Sequence, residues 1–279
     1  MNIAAIIGSP IEQSLSPAIH NAVFRAYGDD WVYVAFDVSP GRVADAFRAM
    51  GVLGIAGLSV TMPHKDDAYG AVDVVDESAK LSRSVNTVIK LADGSLLGAN
   101  TDGEGCCNAL ESAGSVLASA KVVIIGAGGT ARAVIAAMSL RGVADISVIN
   151  RTEARAKEAV KISSIARVGI ESDIDHANIV VNTTSVGMGS FDDSAMPCDT
   201  ALLRHGQFVL DAVYHPLNTS FLRAARKVGA TAVDGLDMLV HQGALQQQHW
   251  LGRIPSIEIM RTAALGELDM RSARRAQIS

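Results

Sequence analysis

The chain lacks the features that mark several protein classes. Its 279 residues include only three cysteines, two of them adjacent (Cys106, Cys107), so no disulfide framework is available. Together with Cys198 they match no zinc spacing, and all three read as reduced structural thiols. The seven histidines show no clustered ligand pattern, so no metal is expected. A formal net charge of −5 gives no footing for nucleic acid. No apolar run reaches the ~20 residues that cross a bilayer. The strand-like opening, Asn2 to Ile7, has neither a basic leader region nor a cleavage site. Internal repeats and Pro/Ser-rich linkers are missing too. These absences point to a cytoplasmic protein with no membrane or nucleic-acid partner.

What is present is an apolar fraction of 49% with 19% charged residues, as expected of an α/β protein with strands buried on both faces. The length suits two domains or one large one. The most informative stretch is Lys121-Val-Val-Ile-Ile-Gly-Ala-Gly-Gly-Thr-Ala-Arg-Ala-Val134. An apolar β-branched run, Val122 to Ile125, breaks at Gly126, Gly128 and Gly129 and resumes as an alanine-rich helix to about Leu140. Strand, glycine turn and helix in that order form a dinucleotide-binding unit. Gly126 permits the turn, Gly128 lets the backbone approach a pyrophosphate, and the helix N-terminus offers free N–H groups.

A second apolar run, Ala144 to Ile149, ends in Asn150-Arg151-Thr152. An NAD-preferring unit usually carries an acidic residue there for the ribose 2′-hydroxyl. This chain carries Arg151, with Arg155 four residues later on the same helical face. Two guanidinium groups suit a 2′-phosphate, so NADP is the expected cofactor.

Upstream, strands are expected at Asn2–Ile7, Trp31–Phe36 and Gly54–Val60, with a helix at Arg42–Met50. That alternation predicts a second α/β unit with parallel strands. Ser16 is a ready N-cap with Pro17 in the first turn. Ser14 and Ser16 either cap and turn, or present two hydroxyls beside a helix N-terminus where a carboxylate is held without an arginine. Pro63 is expected to start a short helix, which places Thr61 and Lys65 at the carboxyl end of a strand, where open α/β sheets bind ligands. Asp73–Leu81 reads as helical. Two short strands, Ser84–Lys90 and Ser95–Gly98, flank the turn signal Asp93-Gly94. Asn86 either satisfies backbone groups or faces a site, and Asp102 either caps the following helix or does chemistry. Farther on, Thr183–Gly189 is a small-residue loop placed to pass under a cofactor. Gly235 to Trp250 is a long helix carrying Gln242. The polar, basic tail Arg271–Ser279 is expected to fray.

Taken together these motifs resemble the shikimate dehydrogenase family across nearly the whole chain. The resemblance rests on Ser14-Leu-Ser-Pro17 with His20-Asn21, Val60-Thr-Met-Pro-His-Lys65, Val85-Asn-Thr87, Asn100-Thr-Asp-Gly103, Gly126-Ala-Gly-Gly129 with Arg132, Asn150-Arg-Thr152, and Gly235 through Gln242 to Trp250. It implies an α/β fold with an N-terminal substrate domain, a Rossmann-type NADP-binding domain, and C-terminal helices returning to the first domain. The implied boundaries are 1–100 with 238–279, and 101–237. Periodicity alone does not reveal that return.

The implied activity is reversible, NADPH-dependent reduction of 3-dehydroshikimate to shikimate, in the pathway to chorismate and the aromatic amino acids. By the same resemblance, Lys65 and Asp102 form the catalytic pair. Ser14, Ser16 and Tyr214 bind the substrate carboxylate, and Thr61, Asn86 and Gln242 hold ring hydroxyls. The cofactor falls to Gly126, Ala127, Gly128, Gly129, Thr130, Ala131 and Arg132, with Asn150, Arg151, Thr152 and Arg155, and with backbone near Ala212 and Gly235. The protein is expected to act as a monomer or homodimer. Three positions depart from the family pattern: Ser59 for asparagine, Ala99 for an acidic residue, and Gln247 for phenylalanine. The first two bear on substrate breadth. The alternatives are a quinate- or aminoshikimate-type paralogue with broader substrate or NAD use, and a non-catalytic NADP-binding sensor.

Overall fold

In a computed structural model, the described residues are 1–189 and 196–278, with side chains described as far as 274. The chain divides into two compact units, Met1–Thr101 with Gly243–Ser279, and Asp102–Gln242.

The first unit begins with β1 (Asn2–Gly8), α1 (Ser16–Tyr27), β2 (Trp31–Asp37), α2 (Val43–Leu53) and β3 (Ile55–Val60). It continues with α3 (Lys65–Ala71), β4 (Val74–Val75), α4 (Glu77–Ser82), β5 (Thr87–Lys90) and β6 (Leu96–Ala99). The sheet order is β2-β1-β3-β5-β6-β4. Strands β1, β2 and β3 are parallel, as alternating α/β units dictate. The expected hairpin forms, and because β5 runs antiparallel to both β3 and β6 the sheet is mixed. Side chains alternate faces along β1: Ala5 and Ile7 join Phe47, Met50, Leu58 and Val88 on one face, and Ala4 and Ile6 join Phe24 and Tyr33 on the other.

Three local expectations are corrected in this unit. Ser16 is the first helical residue rather than the N-cap; Leu15 holds the cap position, and the Ser14 hydroxyl accepts the Ser16 N–H at 3.2 Å. The helix after Pro63 begins only at Lys65, because a turn closed by His64 N–H on the Thr61 carbonyl intervenes. Asp73–Leu81 is not one helix. Val74 and Val75 pair with Leu97 and Gly98 as β4, and Asp76 then caps α4 by accepting the Ala79 N–H at 2.8 Å. A tertiary strand partner overrides the local helical pattern there.

The second unit holds α5 (Asp102–Ser112), β7 (Lys121–Ile125), α6 (Gly129–Leu140), β8 (Asp145–Ile149), α7 (Glu153–Ala159) and β9 (Ala166–Val168). It then runs through α8 (Asp173–His176), β10 (Ile179–Asn182), β11 (Phe208–Asp211), α9 (Ser220–Lys227) and β12 (Thr231–Val233). Its six strands are all parallel, in the order β12-β11-β10-β7-β8-β9. Val122 and Ile124 face one core with Leu110, Val134 and Met138, while Val123 and Ile125 face another with Val180, Val209, Phe221 and Leu222. Burial on both faces explains why β7 reads as an unbroken apolar run. The chain leaves β7 toward β8 and β9, then crosses back to β10, so the topological switch point lies at the carboxyl ends of β7 and β10.

Helix α10 (Gly235–Leu251) contains the division between the units, and α11 (Ile257–Ile278) packs on α1 within the first unit. The expected frayed tail is instead helical through Ile278; Ser279 lies outside the described residues. None of the described helices is long and apolar enough to cross a membrane.

Candidate functional site

In the first unit the polar residues gather where β1 and β3 end and β5 begins. Gly8 closes β1, and a Cβ there would lie 2.5 Å from the Thr61 methyl, so only glycine lets the chain after β3 come this close. The Thr61 N–H bonds the Ile7 carbonyl at 2.9 Å. Lys65, half-buried, opens α3, and its carbonyl accepts the Val85 N–H at 3.0 Å, which sets Asn86 beside it in the chain. Asn86 is 2% exposed and laced to the following motif. Its Oδ1 accepts the Thr101 N–H at 2.9 Å, and its Nδ2 donates to Thr101 Oγ1 at 3.0 Å. Asn100 Nδ2 donates to the Ser84 carbonyl at 2.9 Å.

The pair His20-Asn21 is structural. Asn21 pairs with both the N–H and the carbonyl of Tyr33 at 2.8 Å, extending the hydrogen bonding of β2. His20 is fully buried, stacks on Tyr33 at 4.3 Å, and takes a hydrogen bond on Nδ1 from Gln247 Nε2 at 3.1 Å. Tyr33 was not singled out in the sequence. Its hydroxyl donates to Ser59 Oγ at 2.6 Å, and Ser59 donates onward to Gln246 Oε1 at 2.9 Å. Gln246 Nε2 reaches the Asn86 carbonyl at 3.2 Å. Burial pushes the Tyr33 phenol up, and hydrogen bonding to Ser59 and then Ser16 opposes that shift. Thus Ser16, Ser59 and Asn86 are tied through Tyr33 and Gln246. For Tyr33 and Gln246 themselves the sequence signal was only indirect, the departures at Ser59, which bonds both, and at Gln247, the next residue after Gln246.

In the second unit the glycine turn sits at the switch point. Gly126 has φ +116°, and a Cβ there would lie 2.4 Å from Thr183 Oγ1, so glycine is required twice over. Its N–H bonds the Ile149 carbonyl at 2.8 Å, and the Thr183 hydroxyl bonds the Ile125 carbonyl at 2.8 Å. Gly128 is the N-cap of α6, with no side-chain cap, and a Cβ there would meet nothing within 4 Å. Open space before an uncapped helix N-terminus fits a pyrophosphate. Asn150 Nδ2 bonds the Thr152 carbonyl at 2.8 Å, shaping the turn into α7. Arg151 and Arg155 are exposed on that turn and the first turn of α7, and neither is in an ion pair among the described residues. Uncompensated guanidinium groups there fit the 2′-phosphate of NADP.

Asp102, 6% exposed, begins α5, and Thr130 Oγ1 in the first turn of α6 lies 3.5 Å from its carboxylate. The packing of α5 on α6 requires Gly103, where a Cβ would lie 2.1 Å from the Ala133 carbonyl oxygen. Gly105 likewise admits Gln242, whose Cβ would be 2.7 Å from a Cβ there. Gln242 is buried and donates to the Leu239 carbonyl at 2.9 Å. Gly235 packs on Ala212 and Val213, whose carbonyl oxygens would both lie 2.6 Å from an added Cβ. Half-buried Tyr214 follows a turn fixed by Asp211, another residue the sequence reading missed. Asp211 accepts from Asn182 at 2.9 Å, Val213 N–H at 3.1 Å and Thr219 at 2.7 Å, and burial raises its carboxyl above the usual range.

The three cysteines are buried and free, and burial pushes the Cys107 and Cys198 thiols up to about 12. No group of three or more potential metal ligands occurs among the described residues.

Comparison with known proteins agrees with this geometry. Residues 6–88 match the shikimate dehydrogenase substrate binding domain, 108–194 the shikimate/quinate 5-dehydrogenase family, and 235–265 the shikimate 5′-dehydrogenase C-terminal domain. The NADP(+) shikimate dehydrogenase of Pyrococcus abyssi is 42% identical over 271 residues, covering 96% of this chain and 99% of that protein. The Thermus thermophilus shikimate 5-dehydrogenase, solved with NADP(H) and shikimate, superposes with a TM-score of 0.89 at 34% identity, covering 95% of this chain and 98% of that one. A Corynebacterium glutamicum quinate dehydrogenase solved with NAD gives 0.86 at 30% identity, covering 95% and 99%. With 42% identity to such a relative over nearly its whole length, and family models matching most of its residues, the chain belongs to the shikimate dehydrogenase family.

Proposed function

We propose that the protein catalyses the reversible reduction of 3-dehydroshikimate to shikimate with NADPH, as an enzyme of the chorismate route to aromatic amino acids. The first unit is the substrate domain and the second binds the nucleotide. The observation that carries the cofactor reading is the pair of exposed, unpaired arginines, Arg151 and Arg155, directly after the second strand of a glycine-turn unit. The bound nicotinamide supplies or receives the hydride. Everything else falls to side chains of the chain itself.

Hydride addition to the ketone carbon leaves negative charge on oxygen. Lys65 stabilises that alkoxide and donates the proton, and Asp102 holds the adjoining hydroxyl and shares in proton transfer. Ser14, Ser16 and Tyr214 bind the carboxylate, while Thr61, Asn86 and Gln242 hold ring hydroxyls. Gly126 to Arg132 receive the pyrophosphate, and Asn150, Arg151, Thr152 and Arg155 receive the adenosine 2′-phosphate. Backbone at Ala212 and Gly235 borders the nicotinamide. The three reduced thiols suit the cytoplasm.

Initial rates with shikimate or quinate, each with NADP⁺ or NAD⁺, test the reading. Fast turnover with shikimate and NADP⁺ alone is expected. Comparable rates with quinate or NAD⁺ would move the protein to the broader paralogue, a reading that its likeness to the quinate dehydrogenase favours. Nucleotide binding without turnover of either substrate would favour the sensor.

A further inference from the structure

The substrate-side serines lie where the irregular segment after β1 enters α1. Ser14 N–H bonds the Ile11 carbonyl at 3.0 Å, and Ser16 N–H bonds Ser14 Oγ at 3.2 Å. Further support comes from the other end of the chain. Arg271, on α11, donates from Nη1 to the Gln13 carbonyl at 2.9 Å and from Nη2 to the Ser14 carbonyl at 3.0 Å. Its Nε donates to Glu267 Oε1 at 2.7 Å, one helical turn earlier. The side chain is 24% exposed and Glu267 is 26% exposed, so the fork is partly shielded from water.

We propose that Arg271 is a positioning residue for substrate binding. Its guanidinium holds two successive carbonyls, and Glu267 fixes the guanidinium on its helix. The Ser14–Ser16 turn is thereby held in the form that receives the substrate carboxylate. This inference rests on the reading of those serines as carboxylate partners. A planar fork suits two adjacent acceptors, where a lysine ammonium offers a single compact charge. Ordering a loop segment on binding costs conformational entropy, so a turn ordered in advance binds more tightly. Because the clamp acts on ordering and not on the reacting oxygen, its loss falls on KM and spares kcat.

The test uses the full-length protein with saturating NADP⁺, and compares shikimate with its methyl ester, which lacks the charged carboxylate. Arg271→Gln is expected to raise KM for shikimate about tenfold, as loss of a charge-assisted bond would. The kcat and the KM for NADP⁺ should stay within about twofold, and the preference for acid over ester should shrink. Arg271→Lys should lie between Arg271→Gln and wild type, and it keeps the inference testable should the glutamine variant fail to fold. Ser14→Ala and Ser16→Ala should lower the same acid-over-ester preference. Serine variants that lower the preference while both Arg271 variants match wild type would overturn the inference and leave the serine reading intact. An equal loss for acid and ester in Arg271→Gln would also overturn it, as general loosening. Serine variants with unchanged preference would sink the serine reading and this inference with it, as would a wild type that does not turn over shikimate.

Discussion

Acid should destabilise this protein through His20, and the effect can be worked out from its surroundings. The ring is fully buried against Tyr33, Phe24 and Trp250. Its Nδ1 takes a hydrogen bond from Gln247 Nε2, the NH₂ end of that amide, which only donates, so the proton of the neutral ring sits on Nε2. Nε2 has no partner among the described residues. Burial lowers the pKa to about 3 from an ordinary value of 6.5. A depressed folded-state pKa means the stability is present above pH 6.5 and is lost as pH falls toward 3, because the unfolded chain takes up the proton first. Linkage then gives a loss of about 2 kcal/mol between pH 7 and 5, and about 3 by pH 4. His20→Phe removes the titrating group while keeping an aromatic ring on Tyr33. At pH 7 the variant should be less stable by ~1–3 kcal/mol, since Gln247 loses its acceptor. Urea unfolding of both proteins at pH 7, 6, 5 and 4 cancels the other titrating groups in the difference. That difference should shrink by about 2 kcal/mol between pH 7 and 5. Parallel curves, or a His20 NMR titration centred near 6.5, would refute the reasoning.

Three further outcomes are expected from the proposed function and from the packing. Lys65→Ala should lower kcat by about 10²–10⁴ while NADP⁺ binding, measured by fluorescence titration, is unchanged; undiminished turnover would remove Lys65 from the chemistry. Arg151→Asp should lower kcat/KM for NADP⁺ by roughly ten- to a hundredfold while sparing NAD⁺, since charge-assisted bonds to phosphate are worth ~1.5–3 kcal/mol. Equal losses with both nucleotides would make Arg151 a structural residue. Gly103→Ala forces a methyl against the Ala133 backbone and should destabilise by about 1–3 kcal/mol or more through separation of α5 from α6, read as a lowered melting temperature. A wild-type melt would show that the two helices part at little cost.

The elements legible in the sequence are those whose signal is local. The strand β7, its glycine turn and α6 announce themselves within fourteen residues, because a doubly buried strand must be apolar throughout and the turn must be glycine. The β5–β6 hairpin is likewise written in Asp93-Gly94 between two apolar runs. Legibility fails where a distant segment decides. Val74 and Val75 look like part of a helix until Leu97 and Gly98 offer a strand partner. The segment after Arg271 is polar and basic, which favours fraying in isolation, yet α11 gains its order by lying on α1 and by bonding Gln13 and Ser14.

The candidate site divides along the same line. Residues that belong to short motifs, such as Thr61, Lys65, Asn86 and Asp102, stood out by spacing or by family resemblance. The groups that fix them did not. Tyr33, Gln246 and Arg271 act across 26 to 258 positions of sequence, and Asp211 holds its turn through Asn182 and Thr219. Nothing in a tyrosine inside an alternating strand, or in a glutamine within a cluster of glutamines, distinguishes it from a surface residue. The departures from the family pattern were the one usable trace. Ser59 is small and donates to Gln246, and Gln247 supports His20. A hydroxyl and an amide on separate elements thus occupy the two positions that read as departures in the sequence. Each of these two departures is matched by a hydrogen bond within the first unit. Such pairing is expected when buried polar groups must be satisfied or lose about 1–3 kcal/mol each.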